Sequence, residues 1–234
     1  MKYYAHFGHT DFILCLGYKA DVIKDYFLHY SETLSNDFVL SNSGRDINLL
    51  KTDIHNWTIT FVDTGMNSNI GQRLKLAEKH LKGEDLFLAN YSDGLTDFPL
   101  PQMLESMTKS KKIAAFLCVK PNLSYHFVSV SNENLVTGIT DINQSNIRIN
   151  GGFYAFRREI FDYIRQGEEL VGEPFQRLIR KKQLMAVKYD GFFGAIDTFK
   201  DKQRLDDLLA GGRAPWELWK EPAPDRKHAR NGHQ

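Results

Sequence analysis

The sequence predicts an α/β fold, a doubly wound, mixed but mostly parallel sheet with a small antiparallel β appendage. Three observations carry this. Short apolar, β-branched runs alternate with segments of helical spacing, as strand–helix–strand units require. The run Leu86-Phe87-Leu88-Ala89-Asn90-Tyr91-Ser92-Asp93-Gly94 ends abruptly in a carboxylate and a glycine, at the kind of strand end where open α/β sheets bind ligands. From Tyr125 to Phe156 the alternation gives way to short antiparallel-looking runs around Asn132-Glu133-Asn134.

In chain order, Met1 to Gly8 has the look of the last turns of a helix closed by a C-terminal glycine. Asp11 to Leu16 is a buried strand, Gly17 a turn, and Lys19 to Tyr30 a helix with Val22, Ile23, Tyr26, Phe27 and Tyr30 at helical spacing. Asp37 to Leu50 gives two short strands hinged at Asn42-Ser43-Gly44. Trp57 to Val62 is β-branched and alternating, another strand, followed by Asp63-Thr64-Gly65. A helix opens at Ile70 and runs to about Leu81, with Leu74, Ala77 and Leu81 on one face. After the Leu86 strand come a helix from Pro99 to Lys109, with Pro101 tolerated in its first turn, and a buried strand from Ile113 to Val119. Two helices (Arg157 to Ile164 and Glu173 to Lys182), a strand (Leu184 to Tyr189) and a last helix (Phe199 to Leu209) complete the pattern. Trp216 and Trp219 are expected to staple the C-terminal segment onto the body or a neighbouring subunit.

With 234 residues, 42% hydrophobic and 25% charged, the chain can bury one large core, so one domain over residues 1–220 is expected. The proline-containing basic stretch 221–234 is expected to be a disordered tail. A net charge of +1 supplies no global field for nucleic acid or anionic membrane, so phosphate recognition has to be local. Cys15 and Cys118 sit inside apolar runs and are expected to be buried free thiols in a reducing, cytoplasmic compartment. No segment has transmembrane length, the eight histidines show no ligand spacing, and no Gly-x-Ser-x-Gly elbow supports serine chemistry.

Four constellations could carry chemistry. Asp93 is either a metal carboxylate, with Gly94 admitting close approach of backbone, or a turn residue. Asp197, in Gly191-Phe192-Phe193-Gly194-Ala195-Ile196-Asp197-Thr198, is either its partner on one Mg²⁺ or the N-cap of the following helix. Gly71 and Arg73 lie at a helix start, where anions or planar acceptors bind. Asn150-Gly151-Gly152 either lets a ligand lie against backbone or forms a β-bulge.

In this order, the pieces resemble the sugar nucleotidyltransferases, and within them the glucose-1-phosphate cytidylyltransferase family. The matching residues are Phe12 to Lys19, Val62-Asp63-Thr64-Gly65, Gly71-Gln72-Arg73-Leu74-Lys75, Tyr91-Ser92-Asp93-Gly94, Ile149-Asn150-Gly151-Gly152-Phe153, Glu173 to Leu178, Ile196-Asp197-Thr198 and Ala214-Pro215-Trp216. They run in register from Met1 to about Lys220. The resemblance implies a Rossmann-like nucleotidyltransferase fold and transfer from CTP to glucose 1-phosphate, giving CDP-glucose and pyrophosphate. It implies that Asp93 and Asp197 hold Mg²⁺, that Arg73 with Gly71 and Gly94 serves the nucleotide, and that Asn150, Gly151, Gly152 and Glu173 contact the sugar.

There are three departures from the family pattern. Its members carry a first strand, a glycine-rich loop and a lysine before the position of Met1, so the chain is expected to be N-terminally truncated. Such a strand–loop–helix unit takes on the order of 30 residues. Asp141-Ile142-Asn143 stands where the family has Glu-Lys-Pro, which leaves Arg148 as the nearby cation for the sugar phosphate. His126 stands in Tyr125-His126-Phe127, where a Phe-Gly pair usually packs on the sugar. The expected partners are CTP or another nucleoside triphosphate, a sugar 1-phosphate and further copies of the chain in a homo-oligomer, with neither nucleic acid nor membrane. A non-catalytic binding or oligomerisation subunit, or a metal-dependent glycosyltransferase using Asp93, are the alternatives.

Overall fold

The computed structural model describes residues 1–122 and 125–220, so the expected tail at 221–234 lies outside the described residues. Among the described residues, backbone contacts group the chain into two compact units, the first built from Met1–Lys82 with Ile164–Pro174 and the second from Gly83–Tyr163 with residues 175–220. Among the described residues no helix is long and apolar enough to cross a membrane.

The first unit contains α1 (Lys2–His6), β1 (Asp11–Leu16), α2 (Ala20–Leu28), α3 (Glu32–Ser35), β2 (Phe38–Ser41), β3 (Asp46–Leu49), β4 (Thr58–Asp63) and α4 (Ile70–Ala77). α1 closes as its sequence predicts, with Gly8 at φ +88° donating its N–H to the Ala5 carbonyl. β1 and β4 pair in parallel from Asp11↔Thr58 to Leu16↔Asp63, so both strands end at the same edge. β2 and β3 form an antiparallel ribbon around the expected hinge, where Asn42 and Ser43 adopt positive φ beside Gly44. α3 was not legible in the sequence. Its Glu32 carboxylate accepts the N–H groups of Asp53 and Ile54, at 2.8 Å each, and staples the following loop.

The second unit contains β5 (Leu86–Asn90), β6 (Gly94–Thr96), α5 (Pro101–Ser110), β7 (Ala114–Val119), β8 (His126–Val130), β9 (Val136–Asp141), β10 (Ile149–Arg157), most of α6 (Glu173–Arg180), β11 (Leu184–Tyr189), β12 (Phe193–Ala195) and α7 (Phe199–Ala210). Its main sheet has the order β11-β7-β10-β5. β11 and β7 are parallel, and β10 runs antiparallel to both β7 and β5. The chain reaches β10 from β7 through the β8–β9 hairpin rather than a helical crossover, and that connection sets the opposite direction. β5 and β7, joined by α5, keep a common direction on either side of β10. Phe98, Met103, Met107, Leu117, Phe156, Ile160 and Leu178 are all but fully buried, each contributing about 1.5–3 kcal/mol by burial.

Two expectations need correction, and one pair of strands carries no sequence signal. The helix expected from Arg157 to Ile164 is a run of 3₁₀ turns at Arg158–Tyr163, because Arg157 still belongs to β10 and Arg158 donates back to the Asp85 carbonyl. Cys15 and Cys118 are free thiols but half-buried rather than buried. Burial nonetheless pushes the Cys15 thiol up, against the opposing charge of Arg73. The paired strands β6 and β12 went unseen, since three residues each are too few to show a period.

Candidate active site

The two aspartates that the sequence singles out lie at one end of a two-stranded ribbon in the second unit. β6 pairs antiparallel with β12, Gly94 opposite Ala195, and the Ile196 N–H donates to the Asp93 carbonyl at 3.0 Å. Asp93 immediately precedes β6 and Asp197 closely follows β12, so the ribbon brings both to one end. Both residues are exposed. Neither side chain has a hydrogen bond or ion pair among the described residues. Asp93 does lie in a turn, in which the Gly94 N–H donates to the Tyr91 carbonyl at 3.4 Å, but the turn makes no use of its carboxylate.

Asp197 is not the cap of α7. Thr198 takes that position: its hydroxyl accepts the Asp201 N–H at 3.2 Å, and the Asp201 carboxylate accepts the Thr198 N–H at 3.0 Å. The alternative that made Asp197 a structural residue is thereby removed. No cluster of three or more His, Cys, Asp or Glu that could hold a metal occurs among the described residues. A pair of carboxylates is the donor set that fits Mg²⁺, which completes its shell with water and phosphate oxygens.

The ribbon is held from behind. The Asp97 carboxylate accepts from the Tyr189 hydroxyl at 2.7 Å and the Phe192 N–H at 2.8 Å, and the Thr96 hydroxyl donates to the Phe192 carbonyl at 2.8 Å. Burial, reinforced by Asp97, pushes the Tyr189 phenol well above its ordinary range. Trp216, buried as a staple should be, packs its ring 5.3 Å from that of Phe192. Asp97 could have been noticed four residues beyond Asp93, but nothing in the spacing names its partners.

Beside this ribbon lies the Asn150-Gly151-Gly152 segment of β10. It is a bulge, with the register to β7 shifting between Asn150 and Tyr154. A Cβ on Gly94 would lie 3.2 Å from the Phe153 ring, and one on Gly151 would lie 3.1 Å from the Leu117 carbonyl, so the glycines permit this packing. Gly152 has φ +69° and no room at all: a Cβ there would stand 2.5 Å from the Tyr91 ring. Asn150 is engaged at both ends of its amide. Its Oδ1 accepts the Gly152 N–H at 3.0 Å, and its Nδ2 donates to the Tyr154 hydroxyl at 2.7 Å.

Arg148 sits at the rim of the same unit, its guanidinium donating to the Cys118 and Tyr189 carbonyls at 3.2 Å each and pairing with Asp190 at 2.7 Å. Ile142 is half-buried just past β9, and His126 pairs across the hairpin with Asp141.

Gly71, Arg73 and Glu173 belong to the first unit. The Arg73 side chain reaches the carboxyl ends of β1 and β4. It donates to the Thr64 hydroxyl at 2.6 Å and the Met66 carbonyl at 3.4 Å, and a Cβ on Gly17 would stand 2.5 Å from the guanidinium. Thr64 in turn donates its N–H and its hydroxyl to the Leu16 carbonyl, at 2.8 and 2.7 Å. Gly71 is buried in the first turn of α4, where a Cβ would lie 2.4 Å from the Glu168 carbonyl. The helix is capped by Asn69, which accepts the Gln72 N–H at 2.9 Å. Glu173 is exposed in the first turn of α6.

No protein-family model matches the chain. The glucose-1-phosphate cytidylyltransferase of Salmonella typhi is 30% identical over 221 residues, 94% of this chain and 85% of that protein. Among solved structures, HddC from Yersinia pseudotuberculosis superposes with a TM-score of 0.60 at 18% identity, covering 89% of this chain and 83% of its own. A UDP-glucose pyrophosphorylase complexed with UDP-glucose gives a TM-score of 0.62 at 15% identity, covering 90% and 84%.

Proposed function

Since the chain belongs to the sugar nucleotidyltransferases, in the glucose-1-phosphate cytidylyltransferase family, we propose that it joins CTP and α-D-glucose 1-phosphate into CDP-glucose and pyrophosphate. The observation that carries the site is the ribbon of β6 and β12, which sets Asp93 and Asp197 at one end with no partner for either carboxylate among the described residues. A phosphate oxygen of the sugar 1-phosphate forms the new bond to the α-phosphorus of the nucleotide. The bond from that phosphorus to the β-phosphate's bridging oxygen breaks, and pyrophosphate leaves with the electron pair. Positioning and charge compensation do the catalytic work in such transfers.

Asp93 and Asp197 would hold Mg²⁺, which when bound offsets phosphate charge. Arg73, fixed by Thr64 and Met66, would present its guanidinium to the base, with Gly71 beside it at the start of α4. Gly94 would let the nucleotide lie close to backbone, Gly151 and Gly152 would keep side chains away from the sugar, and Asn150 and Glu173 would offer it polar contacts. Arg148 would take the sugar phosphate. Its present partner Asp190 is an exposed carboxylate, and exposed ion pairs contribute only about 0–1 kcal/mol, so phosphate can displace it. The same family reading carries the homo-oligomer and the cytoplasmic setting.

The test is pyrophosphate release from CTP and glucose 1-phosphate with Mg²⁺, run beside UTP, dTTP, ATP and GTP and beside other hexose 1-phosphates. The expected result is release that needs both substrates, stops with EDTA, and is fastest with CTP and glucose 1-phosphate. Release with another pair would move the substrate assignment, and no release with any pair would overturn the enzymatic one.

A further inference from the structure

The bulge that carries Asn150 is tied to the turn that carries Asp93 by a line of three side chains. The Asn150 Nδ2 donates to the Tyr154 hydroxyl at 2.7 Å, and that hydroxyl donates to the Tyr91 hydroxyl at 2.8 Å. Main-chain contacts run alongside: the Tyr91 N–H donates to the Gly152 carbonyl at 3.1 Å, and the Tyr91 ring covers the Cα of Gly152. Tyr154 is 2% exposed, its ring stacked on Phe156 at 5.3 Å and edge-on to Phe175 at 6.0 Å, so its hydroxyl has little freedom to move. It lies on β10, one of the two inner strands of the sheet, flanked by β5 and β7.

An asparagine amide can be turned over at small cost unless its neighbours distinguish oxygen from nitrogen. Here they do. The Gly152 N–H requires an oxygen, and a tyrosine hydroxyl whose proton is committed to Tyr91 requires a donor. We infer that Tyr154 and Tyr91 are positioning residues: they fix which way the Asn150 amide faces and join the sugar-facing bulge to the Asp93 turn. The inference rests on Asn150 being a sugar contact. Given that role, one Nδ2 hydrogen and the second lone pair of Oδ1 remain for the ligand, a donor and an acceptor side by side, as a sugar hydroxyl needs. With the relay cut, both amide orientations become populated and only one still matches that hydroxyl.

Tyr154→Phe removes one oxygen and leaves the ring packing in place. Two measurements on the intact protein follow. The first is the side-chain amide signals of Asn150 in ¹⁵N-resolved NMR without substrate. They are expected to be slow to exchange in the wild type, and to shift and exchange faster in both Tyr154→Phe and Tyr91→Phe. The second is glucose 1-phosphate binding by calorimetry, expected to weaken about tenfold in Tyr154→Phe, the scale of one buried hydrogen bond left without its partner. CTP binding should stay close to wild type, while the melting temperature falls by the few degrees that a lost buried hydrogen bond costs. Unchanged Asn150 signals in Tyr154→Phe would overturn the relay. Changed signals with unchanged sugar-phosphate affinity would overturn its role in recognition. Absence of any sugar 1-phosphate binding by the wild type would overturn the proposed function instead, and the NMR signals would still judge the relay.

Discussion

Asp93 and Asp197 in the second unit and Arg73 in the first are held in opposite ways. In the second, Asp93 and Asp197 carry carboxylates with no partner among the described residues, while the backbone beneath them is fixed by Asp97, Thr96 and the glycine contacts of the β10 bulge. In the first, Arg73 is already bonded to Thr64 and Met66 and lies against Gly17. A pair of carboxylates on a rigid edge suits a ligand that brings positive charge. A guanidinium tied to neutral acceptors keeps its charge but loses its freedom, which suits orientation of a planar partner. Substitutions of Asp93 and Asp197 should therefore separate catalysis from stability, whereas those around Arg73 should change both.

The largest effect is expected for Asp93→Asn and Asp197→Asn. Each should lower the rate of pyrophosphate release at saturating substrates by at least about 100-fold, the scale seen when one group that compensates transition-state charge is removed. Melting temperature should barely move, because neither carboxylate bonds to the described structure and the Thr198–Asp201 capping box of α7 stays intact. A loss of stability as marked as the loss of rate would erase the contrast between the units.

Next in size are changes around Arg73. Gly71→Ala places a methyl 2.4 Å from a backbone carbonyl, not from a side chain that can swing away, and should cost about 1–3 kcal/mol in urea denaturation. Arg73→Lys gives up the paired geometry on Thr64 and Met66 at roughly 1 kcal/mol of stability, and should raise the KM for the nucleotide while leaving that for the sugar phosphate unchanged. An effect of Arg73→Lys on the sugar phosphate alone would overturn the assignment of Arg73 to the nucleotide.

How much of this the sequence discloses depends on the range of the interaction. β1, β4, β5, β7 and β11 follow from apolar runs, and α2 and α4 from helical spacing, because burial imposes a period along the chain. Asp93 and Asp197 stand out as carboxylates that end apolar runs. Their placement at one end of a ribbon does not, since it depends on the three-residue strands β6 and β12, which are distant in sequence. The expected direction of the sheet was set by strand–helix alternation, and β10 departs from it because a hairpin rather than a helix precedes that strand. Asn150-Gly151-Gly152 could be ligand contact or bulge from its residues, and the structure gives the bulge together with a reason for the second glycine, the Tyr91 ring. Tyr154 was invisible as a partner of Asn150, because a bulge shifts the alternation that would have placed it.

The smallest expected effect concerns a carboxylate of the first unit that is fully partnered, the converse of Asp93. Asp53 accepts from the Tyr30 hydroxyl at 2.7 Å and pairs with Lys2 at 2.9 Å. Burial alone would raise its pKa, but the hydrogen bonds from Tyr30 and Lys2 and the Lys2 charge outweigh it and hold the carboxyl below its ordinary 3.8. Burial is also the chief cause that lifts the Tyr30 phenol to about 12, with Asp53 adding to it. A carboxylate whose folded pKa lies below its unfolded one contributes stability that is fully present above about pH 4, near the unfolded value, and is lost as pH falls through the folded value. Asp53 is half-buried but its partner Lys2 is 41% exposed, so solvent screening should keep the contribution to about 1 kcal/mol. Urea midpoints measured from pH 6 down to pH 3 should show wild type converging on Asp53→Asn at the acid end, with the two apart near neutrality. Tyr30→Phe should remove part of that gap and Lys2→Met another part. A gap that widens toward low pH would mean that Asp53 is destabilised by its surroundings, and the first unit would then hold an unsatisfied carboxylate of its own.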